Sequence, residues 1–402
     1  MISLYVHVPF CAARCPYCDF ATAPATSALR GRYLDALALE LRREGERLGR
    51  PSVRTLYVGG GTPSLLEPDE IASLDAAMRD SFDLALVEAT VEANPATLDR
   101  ARLEAWRALG ITRVSLGAQS LRAEGLRALG RTHQPEDTAA AVDAIRSVGL
   151  SVNVDLIFGW PNQTRDDWVR DLSDAISLAS DHLSCYPLEL PLEAEEGAVN
   201  WPGGWEGVAR WRREAAAAQA DDEGQARLYR TAERALAAAG YRHYEIANWA
   251  REGKSCEHNL VYWRNGQWLG VGTGSYSHLG ASRSRRPASL VAYLAQIERD
   301  DARIADASAD DASDTAMLAL RLDEGLDLVR YARRCGASAA ARIRAALADP
   351  RIAPLVRAEG DVLRLTPRGR LLASEVFVRL LGDDERTSAS SGIALAVPSG
   401  AR

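Results

Sequence analysis

The chain has 402 residues, too many for one small hydrophobic core, so we expect at least two domains. Its hydrophobic and charged fractions, 47% and 26%, are those of a soluble globular protein, and its net charge of −7 argues against a general nucleic-acid binder. The sequence shows neither a signal peptide nor an apolar run of membrane-spanning length. We therefore expect a cytoplasmic protein whose association with a membrane would be peripheral at most.

Strands and helices alternate at short intervals through the first half of the chain. Apolar, β-rich runs predict strands at 4–8, 55–58, 90–93, 113–116, 152–158 and 183–188. Helical spacing predicts helices at 29–48, 68–79, 98–109, 135–148 and 168–179. This alternation predicts an α/β fold with a parallel sheet. Six units fall short of the eight of a closed barrel, so we expect a partial (β/α)6 barrel with its site at the carboxyl ends of the strands.

The second half of the chain is predicted to be less regular. An Ala- and Arg-rich region at 208–239 predicts two helices that break near 221–224, and a strand follows at 241–246. Loops are predicted at 193–204, 256–263 and 270–275.

The last quarter of the chain predicts a small separate domain. A polar, acidic stretch at 306–314 is interpreted as a linker, and the helices and short strand after it indicate a winged-helix-like α+β domain. We therefore divide the chain into a core at 1–205, a helical and β extension at 206–300, a C-terminal domain at 301–381 and a flexible tail at 382–402.

Three of the six cysteines, Cys11, Cys15 and Cys18, fall within eight consecutive positions as Cys-x-x-x-Cys-x-x-Cys. Cysteine thiolates hold iron–sulfur clusters, and three of them can bind three of the four irons of a cubane. The next residues are Asp19 and Phe20, so the pattern predicts a [4Fe-4S] cluster with one iron open to another ligand. Zinc is the alternative, but it would usually need two spaced pairs of ligands, with His7 as the fourth here.

Polar side chains stand at or just past several predicted strands, namely Glu92, Gln119, Arg131 and Asp155. Barrel folds place their ligands at this edge of the sheet. A carboxylate or an amide can bond ribose hydroxyls, and an arginine can pair with a carboxylate, so we interpret the four as a ligand-binding set. The string Gly-Gly-Gly-Thr-Pro at 59–63 lets the backbone approach a ligand, although it also fits a tight turn.

These features resemble the radical S-adenosylmethionine (SAM) superfamily and, within it, the oxygen-independent coproporphyrinogen III oxidase family. The resemblance rests on Tyr-Val-His-Val-Pro-Phe-Cys at 5–11, the triple-glycine turn, Val-Glu-Ala-Asn-Pro at 91–95, Ser-Leu-Gly-Ala-Gln-Ser at 115–120, Asn-Val-Asp-Leu-Ile-Phe-Gly at 153–159 and Leu-Asp-Glu-Gly-Leu at 322–326. It runs from residue 2 to about residue 381. It implies a radical SAM partial barrel with one [4Fe-4S] cluster on the three cysteines and one SAM on the open iron.

The resemblance also implies which residues contact SAM. Direct contacts are implied for Tyr5, Gly60, Gly61, Thr62, Glu92, Gln119, Arg131 and Asp155. Tyr17 and Tyr276 would line the pocket, and carbonyls of the triple-glycine turn would bind the amino group of the methionine moiety.

Two branches of that family differ at positions that can be compared here. The oxidase branch has a further cysteine two residues past the third and a longer N-terminal arm. This chain has Phe20 there and ten residues before Cys11. It also carries His-Asn-Leu-Val-Tyr-Trp at 258–263, which resembles the signature of a haem chaperone branch. Proteins of that branch bind haem and pass it to haem-requiring proteins such as respiratory enzymes.

The branch resemblance implies haem as a third ligand. Imidazole is a common axial ligand of haem iron, which makes His258 a candidate, with Cys256 and His278 as competing ligands. Tyr262 and Trp263 could offer flat apolar surface to a porphyrin.

Whether the protein is an enzyme stays open from the sequence. One alternative is the oxidative decarboxylation of coproporphyrinogen III, and another is a radical SAM methyltransferase or other tailoring enzyme. If SAM is cleaved, an electron donor is a further partner.

Overall fold

Parallel strands connected by helices form the first half of the chain in the computed structural model, which describes residues 1–190, 201, 206–299, 303–306 and 310–380. The strands of this part are β1 (Ile2–Val8), β2 (Phe10–Cys11), β3 (Ala23–Pro24), β4 (Ser52–Gly60), β5 (Asp83–Ala93), β6 (Arg113–Gln119), β7 (Ser151–Phe158) and β8 (His182–Pro187). The helices are α1 (Ser27–Arg47), α2 (Pro68–Ser81), α3 (Arg100–Leu109), α4 (Ala123–Ala128), α5 (Pro135–Ser147) and α6 (Arg165–Ser177). Each strand and helix predicted for this part is present, although β5 begins earlier than predicted.

The extension that follows adds helices and short strands. Its helices are α7 (Glu206–Ala218), α8 (Asp222–Ala238), α9 (Glu257–Trp263) and α10 (Leu290–Arg299). Its strands are β9 (Arg242–Glu245), β10 (Asn248–Ala250), β11 (Trp268–Val271), β12 (Tyr276–Leu279), β13 (Ser282–Arg285) and β14 (Ile304–Ala305). The predicted break near 221–224 is confirmed, because Asp221 caps the start of α8 by accepting the N–H of Gly224 at 2.8 Å.

The C-terminal part contains short helices around a three-stranded sheet ordered β15–β17–β16. Its helices are α11 (Asp311–Leu320), α12 (Leu328–Cys335), α13 (Ala337–Ala346), α14 (Pro367–Leu371) and α15 (Ala373–Leu380). Its strands are β15 (Leu326–Asp327), β16 (Val356–Glu359) and β17 (Val362–Leu365). A hydrophobic core of its own, which includes Leu326, Ile343, Leu363 and Phe377, supports the prediction of a separate small α+β domain.

One sheet of 12 strands, ordered β14–β13–β12–β11–β1–β4–β5–β6–β7–β8–β10–β9, organises the rest of the molecule. The six predicted strands are parallel neighbours in chain order, and β11 adds a seventh parallel strand beside β1. The sheet does not close, since β14 and β9 are its edges. The predicted open β/α architecture is therefore confirmed, with one parallel strand more than expected.

The register of the parallel strands separates two faces of the sheet. Tyr5 is paired with Tyr57, Thr55 with Glu88, and Glu92 with Ser115 across neighbouring strands. Because side chains alternate along a strand, these polar and aromatic residues share one face, which we call the inner face. Apolar residues between them, such as Leu56 and Val91, point to the other face and join the main hydrophobic core.

The loop predicted at 256–263 is wrong, and the loop predicted at 270–275 is shorter than expected. Helix α9 spans most of 256–263, and the N–H groups of Glu257 and His258 at its start each donate to the buried Glu88 carboxylate at 3.0 Å. Strand β11 includes Gly270 and Val271, leaving only 272–275 as a loop. Both elements are too short for periodicity to reveal them, and distant contacts stabilise them.

The predicted linker at 306–314 is also corrected in part. Helix α11 begins within it at Asp311, because the side chain of Asp310 accepts the N–H of Ala312 at 3.2 Å. The predicted loop at 193–204, apart from Trp201, and the predicted tail at 382–402 lie outside the described residues. None of the helices that the structure describes has the length and apolarity needed to cross a lipid bilayer.

Candidate cofactor site at the carboxyl edge of the sheet

The three predicted cluster ligands lie on one loop, residues 11–23, which we call the cysteine loop. Its base is closed by the parallel pair β2–β3, and the N–H of Ala23 donates to Pro9 O at 2.8 Å. Between Cys15 and Cys18 the chain forms a turn in which the N–H of Cys18 donates to Cys15 O at 3.1 Å. Because β1 leads directly into this loop, the cysteines stand at the carboxyl edge of the parallel strands.

His7 fastens the far side of the cysteine loop to β1. Its Nε2 lies 2.9 Å from Ala21 O, and its Nδ1 lies 3.0 Å from the hydroxyl of Tyr5. A carbonyl can only accept, so Nε2 carries the proton and Nδ1 accepts from Tyr5. Burial lowers the pKa of His7 to about 4, so the ring is neutral at pH 7. With both nitrogens engaged, His7 is not a spare fourth ligand for zinc.

Each cysteine of the loop has a hydrogen-bond donor beside its sulfur. Thr62 Oγ1 donates to Cys11 Sγ at 3.4 Å, and Arg131 Nη1 donates to Cys15 Sγ at 3.4 Å. The backbone of Phe20 bonds the sulfur of Cys18. Burial raises the pKa of Cys11 to about 12 and also raises that of Cys18, so a cationic group is needed to keep them as thiolates.

The donor set fits an iron–sulfur cluster better than a single ion. Within the described residues, no three His, Cys, Asp or Glu side chains gather around one point that would suit a metal ion. A structural zinc site usually needs four protein ligands, and His7, the candidate fourth ligand, has both ring nitrogens engaged. A cubane needs only the three cysteine thiolates from the protein when its fourth iron binds another ligand.

The triple-glycine turn is held against both the cysteine loop and β5. A Cβ at Gly59 would lie 2.8 Å from the carboxyl carbon of Glu92, and one at Gly61 would lie 2.6 Å from the carbonyl carbon of Pro9. Gly60 has a φ of +115°, which favours glycine, and a Cβ there would meet the His7 ring at 2.5 Å. The glycines therefore allow the backbone to approach the predicted cofactor site closely.

Two half-buried carboxylates face this site from neighbouring parts of the inner face. Glu92 accepts the N–H of Gly60 at 2.8 Å and the hydroxyl of Tyr57 at 3.0 Å, and burial raises its pKa to about 7. Asp155 accepts from Ser115 Oγ at 2.9 Å and from Asn153 Nδ2 at 2.8 Å, and burial raises its pKa too. The negative charge of Asp155 further raises the pKa of Glu92, so a cationic or hydroxyl-rich ligand between them would be favoured.

Gln119 and Arg131 meet at Gly117, where β6 ends. Arg131 Nη2 donates to Gly117 O at 2.8 Å, and a Cβ on Gly117 would lie 2.9 Å from the side-chain nitrogen of Gln119. Gln119 has a φ of +66°, a conformation rare outside glycine and typical of functional sites. Arg131 Nε is buried and has no hydrogen-bond partner among the described residues, so it can pair with a ligand carboxylate.

The two aromatic residues predicted to line the pocket occupy different places. Tyr17 packs against an apolar cluster at the ends of β7 and β8 that includes Leu129, Ile157 and Trp160. Tyr276 begins β12 beside the end of β11, and its carbonyl accepts from Trp268 Nε1 at 3.1 Å. Both therefore lie at the edge of the sheet where the cysteines stand.

The residues predicted to contact haem lie at the opposite end of the inner face. His258 is fully buried, its Nδ1 lies 2.9 Å from Thr55 Oγ1 near the start of β4, and its Nε2 lies 2.8 Å from the hydroxyl of Tyr262. Burial lowers its pKa to about 3. The structure thus does not bring His258 together with the cysteine loop, and both of its ring nitrogens are engaged.

Trp263 joins the sheet to the C-terminal domain. The guanidinium of Arg321 lies 4.4 Å from the centre of a Trp263 ring, and Trp263 packs in one cluster with Leu318 and Leu322 of the α11 region. The competing haem ligands are buried as well: Cys256 donates to Glu88 at 3.3 Å, and His278 Nδ1 lies 2.8 Å from Gly266 O.

Glu88 is a central residue of this end of the inner face, which we call the lower end; the end beside the cysteine loop is the upper end. The sequence motifs did not identify Glu88. It accepts from two N–H groups at the start of α9 and from Cys256, and it pairs with Arg113 at 3.2 Å. One signal could have revealed it. Glu88 and Glu92 are four residues apart on one strand, which places both side chains on the same face.

Comparison with known proteins first gives the class. A model described as the radical SAM superfamily matches residues 5–175, and one described as the HemN C-terminal domain matches residues 307–372. The solved structure of the coproporphyrinogen III oxidase HemN from Escherichia coli superposes with a TM-score of 0.79, covering 94% of this chain and 89% of that one at 24% identity. The fold is thus that of the radical SAM class with a HemN-type C-terminal domain.

Sequence relatives narrow the class. The chain is 40% identical over 388 residues to the heme chaperone HemW of Mycobacterium tuberculosis, covering 94% of each chain. It is 29% identical over 400 residues to HemW of Bacillus subtilis, covering 95% of this chain and 100% of that one. It is 34% identical to HemW of E. coli over 282 residues, 68% of this chain and 69% of that one. The chain belongs to the HemW family.

The cluster assignment can be tested one ligand at a time. Replacing Cys11, Cys15 or Cys18 by Ala should abolish the iron–sulfur absorbance after anaerobic reconstitution, because each change removes one of three protein ligands. Cys185→Ala and Cys335→Ala are matched controls and should retain the absorbance. Loss of the cluster in either control would contradict the assignment.

The half-buried carboxylates of Glu92 and Asp155 are predicted to support SAM affinity. Asp155→Asn and Glu92→Gln should each weaken SAM binding about tenfold or more, because an unpaired buried polar group costs about 1–3 kcal/mol. Isothermal titration calorimetry measures the change, with Asp174→Asn on the exposed side of α6 as the control. Unchanged affinity in both variants would remove the carboxylates from the SAM site.

The raised pKa of Glu92 also predicts a pH dependence. Protonation removes the acceptor charge, so SAM affinity should rise severalfold from about pH 6 to about pH 8 as the group with a pKa of about 7 ionises. Titrations across this range should show a flatter profile for Glu92→Gln than for the wild type. Identical profiles would show that Glu92 does not titrate against the ligand.

Proposed function

We propose that this protein is a haem chaperone that binds haem, a [4Fe-4S] cluster and SAM and delivers haem to haem-requiring proteins. The observation that carries the proposal is the 40% identity to the heme chaperone HemW of M. tuberculosis across 94% of both chains. The presence of Phe20 where the oxidase branch has a further cysteine supports the same conclusion. This evidence favours the chaperone over a methyltransferase or other tailoring enzyme.

The cluster is proposed to bind Cys11, Cys15 and Cys18, with SAM beside it at the carboxyl edge of the sheet. When bound, the cluster supplies an electron and SAM supplies the bond that this electron can cleave. The residues proposed to contact SAM are Tyr5, Tyr17, Gly60, Gly61, Thr62, Glu92, Gln119, Arg131, Asp155 and Tyr276.

The contacts of these residues suggest which part of SAM each of them would bind. Arg131 Nε bonds no atom in the part of the chain that the structure describes and suits the carboxylate of SAM, while Arg131 Nη1 bonds the Cys15 sulfur and so would link the ligand to the cluster. Glu92 and Asp155 offer acceptors for ammonium and ribose hydroxyl groups. Tyr17, on its apolar cluster, offers a flat surface for the adenine.

An oxygen-independent coproporphyrinogen III oxidase is the second candidate, because the HemN structure shares the fold over almost the whole chain. At 24% identity this likeness concerns the fold alone. The two candidates differ in what is measured: a chaperone holds haem stoichiometrically, whereas an oxidase releases carbon dioxide from the propionates of its substrate.

We expect reconstituted protein to bind one equivalent of haem and to leave coproporphyrinogen III unchanged. Absorbance titration with haem under anaerobic conditions measures the first result. Product analysis after incubation with coproporphyrinogen III, SAM and a reductant measures the second. Efficient conversion to protoporphyrinogen by the wild-type protein would overturn the chaperone proposal.

Haem ligation by His258 stays a prediction, and its surroundings argue against it, since iron would have to displace Tyr262 from Nε2 inside a closed core. His258→Gln keeps an amide that can hydrogen-bond but removes the imidazole. We expect this variant to melt at a lower temperature than the wild type and to leave the Soret band in place. A shifted Soret band in a folded His258→Gln protein would instead identify His258 as the ligand.

A further inference from the structure

Arg212 on α7 is fully buried and reaches back to the cysteine loop from almost 200 residues further along the chain. Its Nε donates to Pro16 O at 3.0 Å, and its Nη2 donates to Tyr17 O at 3.3 Å and to Cys18 O at 3.0 Å. One guanidinium therefore binds three consecutive carbonyls of the turn that carries the second and third cysteines.

These bonds fix the orientation of the peptide planes in that turn. In a trans peptide the N–H points away from the C=O. Carbonyls that point to Arg212 therefore turn their peptide N–H groups away from it. The same turn is closed by the bond from Cys18 N–H to Cys15 O, and Phe20 bonds the Cys18 sulfur through its backbone.

We propose that Arg212 is a positioning residue for the iron–sulfur cluster, holding Cys15 and Cys18 in place through the carbonyls of their turn. This inference rests on the proposed function. The match to the radical SAM superfamily ends at residue 175, before Arg212. The sequence motifs do not include Arg212 either. Other contacts hold the loop at its base through β2–β3, at Ala21 through His7 and at the Cys15 sulfur through Arg131, whereas Arg212 binds the backbone carbonyls of the Cys15–Cys18 turn.

The three hydrogen bonds to the carbonyls of the turn require an arginine at this position. A guanidinium is planar, remains charged at all accessible pH values, and presents several donors in a fixed fork. A lysine at this position could keep the charge but could not hold three carbonyls in that geometry. The charge also matters for the cluster, because the reduction potential of an iron–sulfur cluster depends on nearby charge and hydrogen bonding.

Arg212→Lys removes the planar fork of donors but keeps the positive charge, whereas Arg212→Gln removes both. Arg213→Gln, at an exposed position of the same helix, is the control. Outer-shell changes typically reduce metal affinity 10- to 100-fold, so we expect both Arg212 variants to retain the cluster about tenfold less well under chelator challenge. We expect the reduced cluster to show an altered electron paramagnetic resonance spectrum in both. Its midpoint potential should be more negative in Arg212→Gln than in Arg212→Lys.

Thermal unfolding of the cluster-free proteins shows whether a variant still folds. If Arg212→Gln does not fold, Arg212→Lys decides the question. Wild-type cluster retention, spectrum and potential in a folded Arg212→Lys protein would overturn the positioning role while leaving the proposed function intact. A wild-type protein that assembles no cluster would overturn the proposed function and this role together.

Discussion

The register of the parallel strands is the constraint on which the candidate site depends. It places the polar side chains of neighbouring strands on the inner face and the apolar ones against the covering helices, and a shift by one residue would exchange the two faces. It also pairs Val8 with Gly60 and Val6 with Val271, so that the ends of β1, β4 and β11 meet at one edge. The hydroxyl of Tyr33 secures this meeting by donating to His7 O at 2.7 Å and accepting the N–H of Thr273 at 3.2 Å.

The two ends of the inner face differ in whether the protein compensates the charge of a carboxylate. Strand β5 contributes one carboxylate to each end. At the lower end, Glu88 is paired with Arg113 and accepts N–H groups from the start of α9, so its charge is compensated by the protein itself. At the upper end, the donors that Glu92 has among the described residues are the neutral Gly60 N–H and Tyr57 hydroxyl, and burial raises the pKa of Glu92 to about 7. A desolvated carboxylate of this kind favours a ligand that brings positive charge, and this is the end at which the cysteines stand.

Periodicity and motif spacing predicted the elements that are determined by short-range contacts along the chain. The strands before Gly60 and Gln119 and the cysteine spacing are continuous in sequence, so periodicity and motif spacing reveal them. By contrast, α9 depends on Glu88 and β11 depends on β1, partners more than 160 residues away, and neither has a signal of its own. The same holds for Arg212, whose only visible property in the sequence is that it is one arginine among many on an Ala-rich helix.

The His-Asn-x-x-Tyr-Trp string has structural contacts within the protein. Its histidine bonds both the tyrosine of the string and Thr55 of the inner face, and its tryptophan packs against the start of the C-terminal domain. Next to it, Arg264 forms a bidentate ion pair with Glu324 of that domain, with both bonds at 2.8 Å. The string and Arg264 therefore connect the inner face of the sheet to the C-terminal domain. The string thus has a structural role in joining the sheet to the C-terminal domain, and haem ligation by His258 stays a prediction beside it.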